Sequence, residues 1–166
     1  MSSSLRSWQN SCITRALEHF AVTPHFFCQA TPGAGKTRMA AELASRLLEQ
    51  GRIDLVLCFA PSCQVVEGFR STFAAVLGRR LDGQIGAVGA AYTYQAMEYR
   101  DEGFWQLLDD YRVFVVFDEI HHCAGHDPLL SNAWGQQILH RIQDRAAFTL
   151  ALSGTPWRSD DKAIAL

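Results

Sequence analysis

No window of about 18 uncharged apolar residues occurs in this 166-residue chain, so no membrane-spanning helix is expected. The opening Met1-Ser2-Ser3-Ser4-Leu5-Arg6 has no apolar segment of signal-peptide length. Internal repeats and low-complexity tracts are missing as well. The formal net charge is only −2, which excludes a strongly basic nucleic-acid binder of the wrapping kind but leaves a local basic groove open, since net charge is a sum. Arg79-Arg80 is the one adjacent basic pair and reads as a solvated helix end. The C-x-x-C pairs of structural zinc sites are not there. The five cysteines, Cys12, Cys28, Cys58, Cys63 and Cys123, are an odd number, and three sit in or beside apolar runs where they serve as small core residues. A reduced compartment follows, with the cytoplasm as the expected location. What remains is a globular composition, 48% hydrophobic and 19% charged. The length suits one domain with a sizeable core, and a second domain does not fit.

Two segments carry chemistry. Ala30-Thr31-Pro32-Gly33-Ala34-Gly35-Lys36-Thr37 follows the apolar run His25-Phe26-Phe27-Cys28-Gln29 and leads into Arg38 to Gln50, a stretch of good helix formers. Gly33 and Gly35 let the backbone wrap and turn several N–H groups towards one anion. Lys36 adds a positive charge that reaches β and γ phosphates, and Thr37 offers a hydroxyl to magnesium. Strand, glycine loop and helix stand in the order that seats phosphates on a helix N-terminus. The pattern G-x-x-x-x-G-K-[ST] is met except at its first glycine, which is Ala30. The expected phosphate-binding set therefore runs Thr31, Pro32, Gly33, Ala34, Gly35, Lys36, Thr37 and Arg38.

The second segment is Tyr111-Arg112-Val113-Phe114-Val115-Val116-Phe117, an apolar run typical of a strand covered on both faces, followed at once by Asp118-Glu119. Carboxylates there stand at the carboxyl edge of an α/β sheet, where ligands bind. Asp118 is expected to hold magnesium, and Glu119 to orient and deprotonate the water attacking a γ phosphate. Without the glycine loop, the same acidic pair reads as a helix N-cap. ATP with Mg2+ is the expected ligand.

Elsewhere, residues 5 to 20 have helical spacing, 53 to 59 read as a strand, 63 to 79 as a helix and 84 to 91 as a weak strand. Helical segments follow around 94 to 110 and 129 to 143, and 147 to 152 close as a strand. Strands alternating with helices predict an α/β fold, a mainly parallel sheet with helices on both faces.

With these motifs in place, the chain resembles the first motor domain of a superfamily two helicase or translocase of the DExH type. Asp118-Glu119-Ile120-His121 matches the DExH box, Ala30 to Thr37 motif I, and Ser153-Gly154-Thr155-Pro156-Trp157-Arg158 motif III. Looser matches are Leu5-Arg6-Ser7-Trp8-Gln9 to the Q motif, Phe59-Ala60-Pro61-Ser62 to motif Ia, and Tyr92-Thr93-Tyr94-Gln95 to the threonine-tyrosine motif. The resemblance implies a RecA-like three-layer P-loop NTPase fold over 1–166. It also implies adenine recognition by Gln9 with Arg6 as helper, and His121 as the last member of the catalytic set Lys36, Asp118, Glu119. Pro61, Ser62, Gln64, Thr93 and Tyr94 would line a DNA or RNA backbone track, with Ser153 and Thr155 coupling it to the phosphates. His121, His122, Cys123 and His126 also raise a zinc reading, which one short turn supplying nearly all ligands does not favour.

Such motors place ATP between two RecA-like domains, and the second is expected to be absent from this chain, leaving it nearly inactive alone and a piece of a longer translocase. Two other classes stay open: a non-catalytic, nucleotide-dependent nucleic-acid-binding module, and a P-loop kinase or transporter ATPase, which gives no reason for His121 or Ser153 to Pro156.

Overall fold

The apolar run before the acidic pair forms a strand, and its alternate residues sort into two separate cores. Phe114 and Val116 belong to one, and Val113, Val115 and Phe117 to the other. In a pleated strand successive side chains point to opposite faces, so a run apolar at every position is buried on both sides. A computed structural model describes residues 5–29, 35–99, 102–119 and 140–153. In chain order its elements are α1 (Ser7–His19), β1 (His25–Gln29), α2 (Lys36–Glu49), β2 (Leu55–Ala60), α3 (Cys63–Leu77), β3 (Gly89–Thr93), a 3₁₀ turn (Tyr94–Tyr99), α4 (Glu102–Asp110), β4 (Val113–Asp118) and β5 (Phe148–Ser153). Residues 140–145 are helical.

The five strands form one sheet in the order β1-β5-β4-β2-β3, and every pairing is parallel. The first core holds Ile13 and Ala16 of α1, Met39, Leu43 and Leu47 of α2, and Phe69 and Phe73 of α3, packed on Val56, Cys58, Val116 and Leu150. The second holds Trp105 and Leu108 of α4 with Ile142, packed on Leu57, Phe59, Val115 and Ala151. Three layers result, α/β/α, as the alternation of strand and helix patterns predicts.

One strand lies elsewhere than expected. Residues 83–88 make a turn, in which Gly83 and Gly86 have φ of 75° and 88°, and the strand starts only at Gly89. Positive φ is incompatible with strand backbone, so the glycines end one turn and release the chain into β3 afterwards. Gly89 itself meets β2 closely: a Cβ there would lie 1.7 Å from the Val56 carbonyl oxygen. The helical segments expected around 94 to 110 are the 3₁₀ turn and α4, and most of the helix expected over 129 to 143 lies outside the described residues.

Candidate active site

All five strands run the same way, so their last residues, Gln29, Ala60, Thr93, Asp118 and Ser153, share one edge. Strand β5 lies between β1 and β4, which puts the buried Ser153 between the strand entering the glycine loop and the strand bearing the acidic pair. Asp118 has the same parity as Phe114 and Val116, so its side chain leaves the sheet on the α2 side. Lys36 is the first residue of α2. The two side chains meet there: Lys36 Nζ lies 3.1 Å from Asp118 Oδ1 and also donates to Glu119 Oε1.

The cluster is largely shut off from water, with side-chain exposures of 14% for Lys36, 4% for Asp118 and 17% for Glu119. Burial disfavours the Lys36 ammonium, but the Glu119 hydrogen bond and the Asp118 charge outweigh it, and its pKa ends above the ordinary lysine value. Burial raises the Asp118 carboxyl, the Lys36 charge offsets part of this, and the net shift is upward. Beneath them the fully buried Cys58 thiol is held neutral, first by burial and then by the Asp118 charge. Glu119 has φ 51°, the only non-glycine residue with positive φ among those described. A left-handed residue costs about 1–2 kcal/mol, so packing around it must hold it there.

Gly35 precedes α2 with φ 84° and accepts a hydrogen bond through its carbonyl from Gln9 Nε2 at 2.9 Å. A Cβ on Gly35 would stand 2.6 Å from that nitrogen, so the contact requires glycine on both steric and conformational grounds. Gln9 Oε1 in turn accepts from the Arg6 backbone N–H at 2.7 Å, capping the start of α1.

A magnesium ion suits the oxygens on this edge. Asp118 Oδ1 is buried, with the Lys36 ammonium 3.1 Å away as its counter-charge. A hard carboxylate oxygen at Asp118 and a hydroxyl at Thr37, on the first turn of α2, match the ligand preference of that ion. No group of three or more His, Cys, Asp or Glu side chains disposed for a metal occurs among the described residues, and His121, His122, Cys123 and His126 lie outside them.

Residues 2–158 match the family described as Type III restriction enzyme, res subunit. The chain belongs to that family. An uncharacterized protein of Mycobacterium leprae (strain TN) is 33% identical over 171 residues, covering 96% of this chain but 27% of that protein, so the chain spans little more than a quarter of the relative's length. The Sulfolobus solfataricus SWI2/SNF2 ATPase core, solved with dsDNA, is similar at TM-score 0.72 and 16% identity over 98% of this chain and 35% of that one. The Pyrococcus furiosus Hef helicase domain is similar at TM-score 0.69 and 23% identity over 95% and 34%. The fold is that of the N-terminal RecA-like motor domain of superfamily two helicases.

In this res-subunit domain the expected site residues separate into groups. Gln9 contacts Gly35, and Lys36, next along the chain, meets Asp118 and Glu119. Thr37 and Arg38 follow Lys36 on the first turn of α2, where Arg38 pairs with Glu42 at 3.7 Å. Thr31, Pro32, Gly33, Ala34, His121 and Thr155 lie outside the described residues. Pro61, Ser62 and Gln64 gather at the start of α3, with Ser62 and Gln64 exposed and Ser62 Oγ capping Val65 N–H at 3.3 Å.

Two residues expected at the base and the nucleic-acid track are buried in the structure. Gln9, expected to read adenine, is 4% exposed, with its carbonyl oxygen and one N–H committed to Arg6 and Gly35, so it braces the glycine loop's exit onto α1. Tyr94, expected along a nucleic-acid track, is the second. It shares the parity of Ala90 and Tyr92, which turns it into the second core, where it is 2% exposed and its hydroxyl donates to the Asp118 carbonyl at 2.7 Å. Its neighbour Thr93 stays half-buried and caps the 3₁₀ turn through Ala96 N–H. The Tyr94 and Gly35 contacts were missed in the sequence because both join a side chain to a distant backbone carbonyl, which leaves no residue-type signature.

Proposed function

We propose that this chain is the ATP-binding motor domain of a nucleic-acid helicase or translocase, taking Mg-ATP at the Lys36, Asp118 and Glu119 cluster and nucleic-acid backbone along the tips of β2 and β3. The observation that carries the reading is the meeting of Lys36 with Asp118 at 3.1 Å, from the start of α2 and the end of β4. Magnesium, when bound, supplies positive charge against the β and γ phosphate oxygens. Asp118 holds it, directly or through water, with the Thr37 hydroxyl as second protein ligand. Lys36 exchanges its carboxylate partners for the phosphates. Glu119, released from Lys36, orients the attacking water and accepts its proton.

The nucleic-acid part rests on exposed Ser62 and Gln64 at the N-terminus of α3, where free backbone N–H groups favour phosphate, and on Pro61 and Thr93 at the adjoining strand tips. The SWI2/SNF2 core of the same fold was solved with dsDNA, which supports DNA or RNA as partner. Contacts of this kind fix backbone and leave sequence preference low. Ser153 and Thr155 couple that edge to the phosphates. We place a second RecA-like domain, with charge-stabilising arginines, elsewhere in the natural polypeptide that carries these residues.

Steady-state ATP hydrolysis, with and without DNA or RNA, tests the proposal. The intact natural polypeptide is expected to hydrolyse ATP faster with nucleic acid, and the 166 residues alone barely at all, since an arginine finger is worth ~10³ to 10⁵ in turnover. Brisk stimulated hydrolysis by the 166 residues would contradict the two-domain requirement, and none by the intact polypeptide would contradict the motor reading.

A further inference from the structure

Tyr94 reaches across two strands of the sheet on the candidate edge. It follows β3, an edge strand, and its hydroxyl bonds the last carbonyl of β4, passing over the end of β2 between them. Two strand spacings amount to nearly 10 Å, so only a long side chain ending in a donor closes that gap. The ring is fixed along the way. Tyr94 stacks on Phe59 of β2, with centroids 6.3 Å apart and planes 21° apart, and Phe59 stacks on Phe117 of β4 at 5.9 Å and 18°. Each ring therefore holds the next, and the hydroxyl arrives at the carbonyl with little freedom left.

That carbonyl belongs to the peptide unit joining Asp118 to Glu119. Glu119 departs from it with φ 51°, a conformation that a non-glycine residue keeps only under constraint. Rotation of this one peptide plane would swing the Glu119 carboxylate away from Lys36 while leaving the Asp118 side chain on its own face of the strand. We propose that Tyr94 is a positioning residue for Glu119: its buried hydroxyl locks the Asp118–Glu119 peptide and so sets the carboxylate that activates water. The inference rests on the motor reading above, in which Glu119 is that base. It divides the labour in the acidic pair, because magnesium and phosphate binding through Asp118 and Lys36 does not depend on the locked peptide, whereas turnover does.

The test is a set of variants in the intact natural polypeptide. Tyr94→Phe keeps the ring stack and removes the donor; kcat is expected to fall about ten-fold while the KM for Mg-ATP stays within roughly two-fold. Combining Tyr94→Phe with Glu119→Gln should cost no more turnover than Glu119→Gln alone, since a residue acting through Glu119 has nothing left to position. A general packing role would instead multiply the two losses. Should Tyr94→Phe fold poorly, 4-aminophenylalanine at position 94, whose amine still donates, restores kcat if the hydrogen bond is what matters. Parent-like kcat for Tyr94→Phe, full additivity of the two losses, or no restoration by the amine would each overturn the proposal while leaving the motor reading intact. Absence of any ATP hydrolysis by the parent, with nucleic acid present, would overturn both.

Discussion

Asp118 and Lys36 pull each other's protonation in opposite senses, and the balance gives a pH signature. Asp118 is raised chiefly by burial, despite Lys36 beside it. Protons therefore compete for its oxygens starting at higher pH than for an ordinary aspartate near about 3.9, and magnesium-nucleotide affinity is expected to fall with pH from a correspondingly higher point. Calorimetry at several pH values checks this; Asp118→Asn should bind weakly and without that pH dependence, and a parent with flat affinity down to the ordinary carboxylate range would refute it. For stability the signs differ. A raised Lys36 stabilises the fold fully below the unfolded lysine value of about 10.4, and this is lost as pH rises through the higher folded value. A raised Asp118 destabilises while ionised, and that penalty is relieved as pH falls through its folded value.

Among the elements, β3 makes the sharpest claim. Gly89 sits where a Cβ would lie 1.7 Å from the Val56 carbonyl oxygen, and all three nearest atoms are Val56 backbone, which prevents easy relief. Gly89→Ala should therefore cost at or above the roughly 3 kcal/mol end of overpacking effects, read as a lowered urea midpoint. Gly68→Ala is the control, because that glycine lies in α3 with nothing within 4 Å of the added atom, and it should stabilise by about 0.5–1 kcal/mol. Equal midpoints for the two variants would contradict the β2–β3 geometry. The same strand shows where pattern reading runs short. Strands β4 and β5 announced themselves because both faces are buried, with unbroken apolar runs over 113–117 and 150–152. Residues 84–91 carry two glycines, which contribute no side chain to any alternation, so the strand was expected some five residues early. Helices α1 and α2 were legible from spacing, whereas the split of 94–110 depends on Tyr94 being drawn into the core beside Phe59.

For the molecule as a whole, the parallel sheet brings together what the chain separates. Strand β5, last in sequence, inserts between β1 and β4, and only that order sets Ser153 between the two motif-bearing strands. Motif chemistry pointed to Lys36 and Asp118 as partners, but neither spacing nor composition encodes strand order or which face Asp118 takes. Those follow from crossover handedness and the parity of β4 once the fold is known. Braces from side chain to backbone, Gln9 on Gly35 and Tyr94 on Asp118, were beyond sequence reasoning for the same cause. The central claim is that Lys36 and Asp118 grip one magnesium-bound triphosphate. Titration calorimetry of the 166-residue chain with ATP tests it directly. The account predicts magnesium-dependent binding of one nucleotide, abolished by Lys36→Ala and by omitting magnesium. No uptake at millimolar ATP, or uptake indifferent to both changes, would contradict it.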